Sequence, residues 1–281
     1  MSGTDWLGSK ADEDGYRPPP DLHTDKPHPA RIYDYLLGGR DNFAADREAS
    51  SGITEGWPNL PKSMRANRDF LVRVTRYLAA ELGFRQFLDV GTGLPTSPNL
   101  HEVAQEVAPE SRILYVDNDP IVLVHARALL TSTPQGRTAY VDADLRDTDA
   151  ILNSEEYREI LDLDQPVALT LLAVMHYILD QGEARDIIAR LMAPLPQGSA
   201  LVVSTTTHIS APEEVHKGIA SYNAKGIPAR SMDQTEVEDL FDGLELLPPG
   251  VTLINHWHPD DAAARFTDAQ VHMLGGVAIK R

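Results

Sequence analysis

From Arg85 onward, short apolar runs alternate with helical stretches, and this alternation restricts the fold more than any other feature of the chain. The runs QFLDV (86–90), RILYVD (112–117), TAYVDA (138–143), PVALTLLAV (166–174) and SALVVSTTT (199–207) are apolar almost throughout rather than at every second position. Strands of that kind are buried on both faces. Between them the spacing predicts helices at about 97–108, 119–130, 149–161 and 181–193. Strand and helix repeated in this order predict an α/β fold, a mostly parallel sheet with helices on both faces.

Beyond residue 208 the regularity breaks. Residues 211–241 read as an inserted helical and loop-rich cap, followed by two late strand candidates in LELLPPGVTLINHWH and VHMLGGVAIKR. These are expected to form an antiparallel hairpin that closes the sheet, so that the last strand runs against the others. Upstream, residues 1–28 carry prolines and charges with almost no apolar periodicity and are expected to be a flexible tail. Residues 29–84 read as a helical extension: a helix through Ile32, Tyr33, Leu36 and Leu37 stopped by Gly38 and Gly39, a second from near Asn42, and a longer one carrying Met64, Phe70, Leu71, Val74 and Leu78. The expected domain is then 85–281, with 29–84 as a lid over it.

Composition removes several kinds of function. The 281 residues include no cysteine, which eliminates disulfides, thiolate metal sites and a cysteine nucleophile, and fits a reducing, cytoplasmic setting. No apolar run reaches the roughly 20 residues a membrane helix needs, and no signal-peptide core is visible. A net charge of −17 opposes extended contact with a phosphate backbone, so neither nucleic acid nor membrane is an expected partner.

In an open parallel sheet ligands bind beyond the carboxyl ends of the strands. The first strand is followed by Asp89, Gly91 and Gly93 in DVGTGLPTS, the second by Asp117, Asn118 and Asp119, the third by Asp142 and Asp144. The loop lacks the lysine of a triphosphate-binding loop, and Thr96 stands where a dinucleotide fingerprint has its third glycine. Asp89 would also sit awkwardly beside a pyrophosphate, whereas it suits a cofactor bearing an amine and a sulfonium. Asp117, 24 residues after Gly93, is placed to accept from two ribose hydroxyls. A carboxylate after the third strand can take the adenine amino group, with the Leu145 amide facing a ring nitrogen.

The strings FLDVGTG, YVDNDP and DADLRD resemble the cofactor motifs of class I S-adenosylmethionine-dependent methyltransferases. More narrowly, ARIYDYLLGGRDNFAADRE, QFLDVGTGLPTSPNLHEVAQ and YVDNDPIVLVHARALL resemble the actinobacterial S-adenosyl methyltransferase family formerly regarded as a domain of unknown function. The resemblance runs from about Pro29 to the C-terminus. It implies a Rossmann-like fold, S-adenosylmethionine as cofactor with S-adenosylhomocysteine as product, and methyl transfer. It also implies that Asp89, Gly91 and Gly93 line the methionine side, Asp117 the ribose, and Asp144 with Leu145 the adenine. The common pattern has a further glycine where this chain has Pro95. The N-terminal helical segment and the 211–241 insertion, which the sheet does not need, are expected to build the pocket of a small-molecule acceptor, with a protein side chain as the alternative.

Other candidates come from their place in the chain. His176, after the fourth strand, is the candidate base, since its ordinary pKa lies near neutrality. Met175 and Tyr177 flank it as candidate pocket residues. Tyr33 and Tyr35 project from different sides of one helix, so at most one of them is expected to face the ligand; Tyr33 is the cofactor candidate, Tyr35 and Asn42 the acceptor-pocket candidates. Arg65 and Arg68 precede the first strand, and Arg68 is the candidate partner of the methionine carboxylate. His256 and His258, on one face of a predicted strand, together with His272 invite a metal reading, but no carboxylate ligand is fixed by spacing and no metal is expected. A cofactor-binding sensor without turnover and, less favoured, an NAD-dependent oxidoreductase are the alternative functions.

Overall fold

The computed structural model describes residues 22–129 and 132–281. Eight strands form one sheet: β1 (Gln86–Val90), β2 (Arg112–Asp117), β3 (Arg137–Asp142), β4 (Ala168–Leu172), β5 (Ala200–Thr206), β6 (Glu245–Leu246), β7 (Thr252–Leu253) and β8 (Met273–Ile279). The order is β3-β2-β1-β4-β5-β8-β6, with β7 also on β8; β1 to β5 are mutually parallel and β8 is antiparallel to β5. Strand order reverses between β1 and β4, which opens a crevice beyond their carboxyl ends.

Among the described residues ten helices accompany the sheet: α1 (Pro29–Leu37), α2 (Ala44–Gly56), α3 (Leu60–Ala80), α4 (Leu100–Val107), α5 (Pro120–Leu129), α6 (Thr148–Leu152), α7 (Glu155–Ile160), α8 (Gln181–Met192), α9 (Pro212–Ala224) and α10 (Gln234–Glu238). Alternate residues of the strands feed two cores. Phe87, Ile113, Ala168 and Val202 join Ile32, Ile53, Phe70 and Val215 of the N-terminal helices and α9. Leu88, Leu114, Leu169 and Leu201 join Ile151, Tyr157, Ile187 and Val237 on the opposite face. Residues 29–84 thus share the first core of the sheet.

Five sequence expectations change. The stretch 149–161 is two helices, because the Ser154 hydroxyl accepts from Tyr157 N–H and starts α7 afresh. The late strand in LELLPPGVTL is interrupted: Pro248 and Pro249 have no N–H to give a ladder, so only 245–246 and 252–253 pair, both with β8. No tight hairpin follows, since residues 254–272 intervene with 3-10 turns at Ala263–Arg265 and Asp268–Gln270. His256 and His258 lie in that connection rather than on a strand, and with His272 they turn to separate partners, Asp268, the Pro248 carbonyl and Trp57. Finally, the expected tail does not extend through residue 28: His28 is the N-cap of α1, while residues 1–21 lie outside the described residues.

The Gly38–Gly39 turn that stops α1 is closed around one carboxylate. Asp34 accepts from Asp41 N–H at 3.0 Å and Asn42 Nδ2 at 2.8 Å, and a Cβ on Gly39 would overlap it. Asn42 is consumed by this turn.

The α2–α9 contact depends on a missing side chain. A Cβ on Gly218 would lie 2.8 Å from Trp57 Cβ and Cδ2, and Trp57 is fully buried with Nε1 2.5 Å from His272 Nδ1. Gly218→Ala is expected to cost about 1–3 kcal/mol in urea unfolding, the range for overpacking. Gly52→Ala, whose Cβ would make ordinary contacts with Lys225 Cε at 3.4 Å, Lys225 Nζ at 3.7 Å and Ser221 Oγ at 3.9 Å, is expected to be neutral or to stabilise α2 by up to about 1 kcal/mol. Equal effects at the two positions would contradict the close packing.

Candidate active site

At the end of β1 the chain turns through two glycines in the left-handed region, Gly91 (φ 75°) and Gly93 (φ 69°). A Cβ on Gly91 would come within 2.6 Å of Val174 Cγ2, so the loop lies flat against the segment after β4. Gly93 N–H donates to Asp117 Oδ2 at 2.8 Å, and Asp119 N–H to Asp117 Oδ1 at 2.9 Å. Each Asp117 oxygen keeps a free lone pair. Asp89, also buried, accepts from Thr170 at 2.5 Å and Thr92 at 2.6 Å. Burial pushes both carboxyls above the usual carboxylate range, against these neutral donors.

The path of the loop past Pro95 is set from α3. Arg68 donates through one terminal nitrogen to the Thr96 carbonyl at 2.6 Å and the Pro98 carbonyl at 2.7 Å. Beyond β2 and β3, Asn118 Nδ2 donates to Asp144 Oδ2 at 2.9 Å, and Asp144 Oδ1 accepts Arg146 N–H at 2.8 Å. Asp142, the other carboxylate after β3, is exposed and outside the crevice.

These groups face one cavity of about 410 Å³, within the size range of small-molecule sites. It brings together Asp89, Gly91, Gly93, Asp117, Asn118, Asp144, Leu145, Tyr33, Arg68 and Tyr177. It does not include Tyr35, Asn42, Met175 or His176. Tyr35 is on the outer side of α1 and 38% exposed; Met175 is fully buried in the second core. The His176 ring is buried behind the cavity wall with Nδ1 unpartnered, and desolvation drives its pKa down to about 3. Its main-chain carbonyl is the part that works, accepting from Arg230 N–H at 2.9 Å.

Three supporting groups carry no motif of their own. His28 Nδ1 and Arg31 Nε lie 3.0 Å and 3.1 Å from Asp119 Oδ2, joining α1 to the end of β2. Burial opposes charge on Asp119, but His28, Ile121 N–H and Arg31 outweigh it and hold the carboxyl below its ordinary range. Asn67 takes a hydrogen bond from Ser204 Oγ at 2.7 Å and donates to the Tyr33 hydroxyl at 3.1 Å, which donates to the Met64 carbonyl. Arg230 joins the Ile178 carbonyl, Glu236 and Gln181, tying the 226–228 loop to the segment after β4. The partnership of Asp119 with His28 and Arg31 spans about ninety positions of sequence, which no local pattern records.

A family model described as S-adenosyl methyltransferase matches residues 16–281. The chain belongs to the S-adenosyl methyltransferase family. Its cofactor is S-adenosylmethionine, its reaction is methyl transfer, and its fold is a Rossmann-like sheet, mostly parallel with an antiparallel last strand. The methyltransferase is similar to the crystal structure of a DUF574 family protein from Streptomyces avermitilis, with 51% identity, TM-score 0.91, and coverage of 93% of this chain and 100% of that one. It is also similar to a candidate methyltransferase from Thermobifida fusca, with 37% identity, TM-score 0.85, and coverage of 94% and 98%. No curated protein matches the sequence.

The position of His176 in this methyltransferase gives a pH prediction. Its folded pKa of about 3 lies below the 6.5 of the unfolded chain, so its contribution to stability is present above about pH 6.5 and is lost as pH falls. His176→Phe is expected to flatten the fall in urea-unfolding free energy between about pH 6 and pH 4.5 by roughly one proton's worth, about 1.4 kcal/mol per pH unit. An unchanged slope would mean that the folded protein protonates the ring.

Proposed function

We propose that S-adenosylmethionine lies across the ends of β3, β2 and β1 and that a small-molecule acceptor meets it from the β4 side. In this reading Asp117 accepts from the ribose hydroxyls with its two remaining lone pairs. Asn118, Asp144 and Leu145 surround the adenine. Asp89, Gly91 and Gly93 face the methionine portion, with Arg68 holding the loop and offering its other donors to the carboxylate. The observation that carries the reading is a pair of buried carboxylates, Asp89 and Asp117, hydrogen-bonded by neutral donors alone and lining one cavity with Asp144. A ligand bearing a cation and a diol answers that arrangement.

When bound, the cofactor supplies an electrophilic methyl group on a sulfonium. The chain's own part is alignment and exclusion of water. Tyr33, fixed by Asn67 and Met64, and Tyr177 form walls of the cavity, while Arg230 holds the two loops beyond β4 against one another. No proton transfer is assigned to the His176 ring. A chain without cysteine, in which no described helix is long and apolar enough to cross a membrane, fits a cytoplasmic enzyme.

Calorimetric titration with S-adenosylhomocysteine tests the reading. Asp117→Ala is expected to weaken binding by about 1.5–3 kcal/mol, the scale of hydrogen bonds to a charged group. Asp142→Ala is expected to leave it unchanged. Equal affinity for wild type and Asp117→Ala would remove Asp117 from the site.

A further inference from the structure

The half of the cavity beyond β4 differs in chemistry from the half beyond β1 to β3. Its walls are Leu71, Leu172, Val174, Ile178, Ile227 and Pro228, with the Tyr33 and Tyr177 rings and the Asn67 amide between them. None of these nine side chains carries a carboxylate, an ammonium, a guanidinium or an imidazole. Two charged groups of the other half, Arg146 and His28, are engaged where they stand. Arg146 donates to the Tyr177 carbonyl at 3.0 Å and pairs with Asp144 and Glu183, and His28 faces Asp119.

The polar groups near the acceptor are neutral. The Tyr33 hydroxyl gives its proton to Met64 O and accepts from Asn67, so only a lone pair is left to offer. Burial pushes the Tyr33 and Tyr177 hydroxyls above their ordinary pKa, which keeps both protonated and unable to serve as bases at neutral pH. His176 is walled off. An ionised acceptor would leave its charge unpaired against this apolar wall, at a cost that its partners here do not offset.

We propose that the methyl acceptor is a neutral, mostly apolar molecule whose accepting atom already carries a free lone pair, such as an aromatic ring nitrogen or a thioether sulfur. The lone pair of that atom forms the new bond to the methyl carbon as the carbon–sulfur bond breaks. The bonding pair stays on the sulfur, leaving neutral S-adenosylhomocysteine, and the positive charge passes to the methylated acceptor. No proton leaves, so no side-chain base is required. The product is a cation in an apolar half-cavity, which favours its release.

This inference rests on the cofactor arrangement proposed above, and its test separates the two. Protein saturated with S-adenosylhomocysteine is titrated with three two-ring probes: isoquinoline, 2-naphthoate and 2-naphthylmethylamine. Isoquinoline is expected to bind at least tenfold more tightly than either charged probe. Pro228→Asp, which puts a carboxylate into the wall at an exposed position of the 226–228 loop, is expected to reverse the order in favour of 2-naphthylmethylamine without loss of S-adenosylhomocysteine binding. A charged probe binding the wild type as tightly as isoquinoline would overturn the proposal, as would no binding of isoquinoline to protein that has bound S-adenosylhomocysteine. With S-adenosylmethionine present, methylation of 2-naphthol in preference to isoquinoline would overturn it too, because the naphthol must first lose a proton. Failure of S-adenosylhomocysteine itself to bind would overturn the cofactor arrangement and this inference with it.

Discussion

The carboxylate of Asp117 holds the site together. It accepts the Gly93 amide from the loop after β1 and the Asp119 amide from its own strand end, so two neighbouring parallel strands finish on one side chain. A buried carboxylate is stable only with donors around it, and here these donors come from backbone that must then adopt a particular path. Gly93 can follow that path because a left-handed residue without Cβ is tolerated at the turn. The same path leaves the second lone pair of each oxygen toward the cavity. Loop geometry and a carboxylate lining the cavity are two consequences of one interaction.

Support for this arrangement comes from outside the sheet. Asp119 turns its own carboxylate to His28 and Arg31, so the first helix is bound to the strand end on which Asp117 sits. Arg68 of α3 holds the Thr96 and Pro98 carbonyls, and Asn67, one residue earlier, reaches Ser204 on β5 and Tyr33 on α1. Ser204 also accepts from the amide of Ala173, an alanine at φ 56° that ends β4. Adjacent residues of a single helix therefore brace both sides of the cavity. The N-terminal helices complete the core and orient the site together, which explains why they pack into the same apolar cluster as Phe87 and Val202.

Much of the site lies in local sequence. Carboxylates and glycines directly after apolar runs are strand-end groups in any parallel sheet, so Asp89, Gly91, Gly93, Asp117 and Asp144 could be picked out without coordinates. The choice between Asp142 and Asp144 could not, since they differ by one turn of loop, and Asp142 remains the exposed last residue of β3. Residues 175–177 show the same limit: a 3-10 turn sends Met175 to the core, His176 behind the wall and Tyr177 into the cavity. Three consecutive side chains there have three fates, and their chemical types alone suggest others. Asn42 lies outside the cavity because the Gly38–Gly39 turn closes on Asp34, and Tyr35 because it stands on the outer side of α1.

The sequence by itself determined the strands, their parallel majority and the acidic groups at their ends, because these follow from apolar periodicity and from covalent neighbours within a few residues. Tertiary structure alone decided which of those groups share a cavity and what stands opposite them. His28 with Asp119, Asn67 with Ser204, and Arg230 with the backbone at His176 and Ile178 are partners far apart in the chain. Such pairs form because burial obliges each polar group to find a donor or acceptor wherever packing brings one, and packing is a property of the whole molecule.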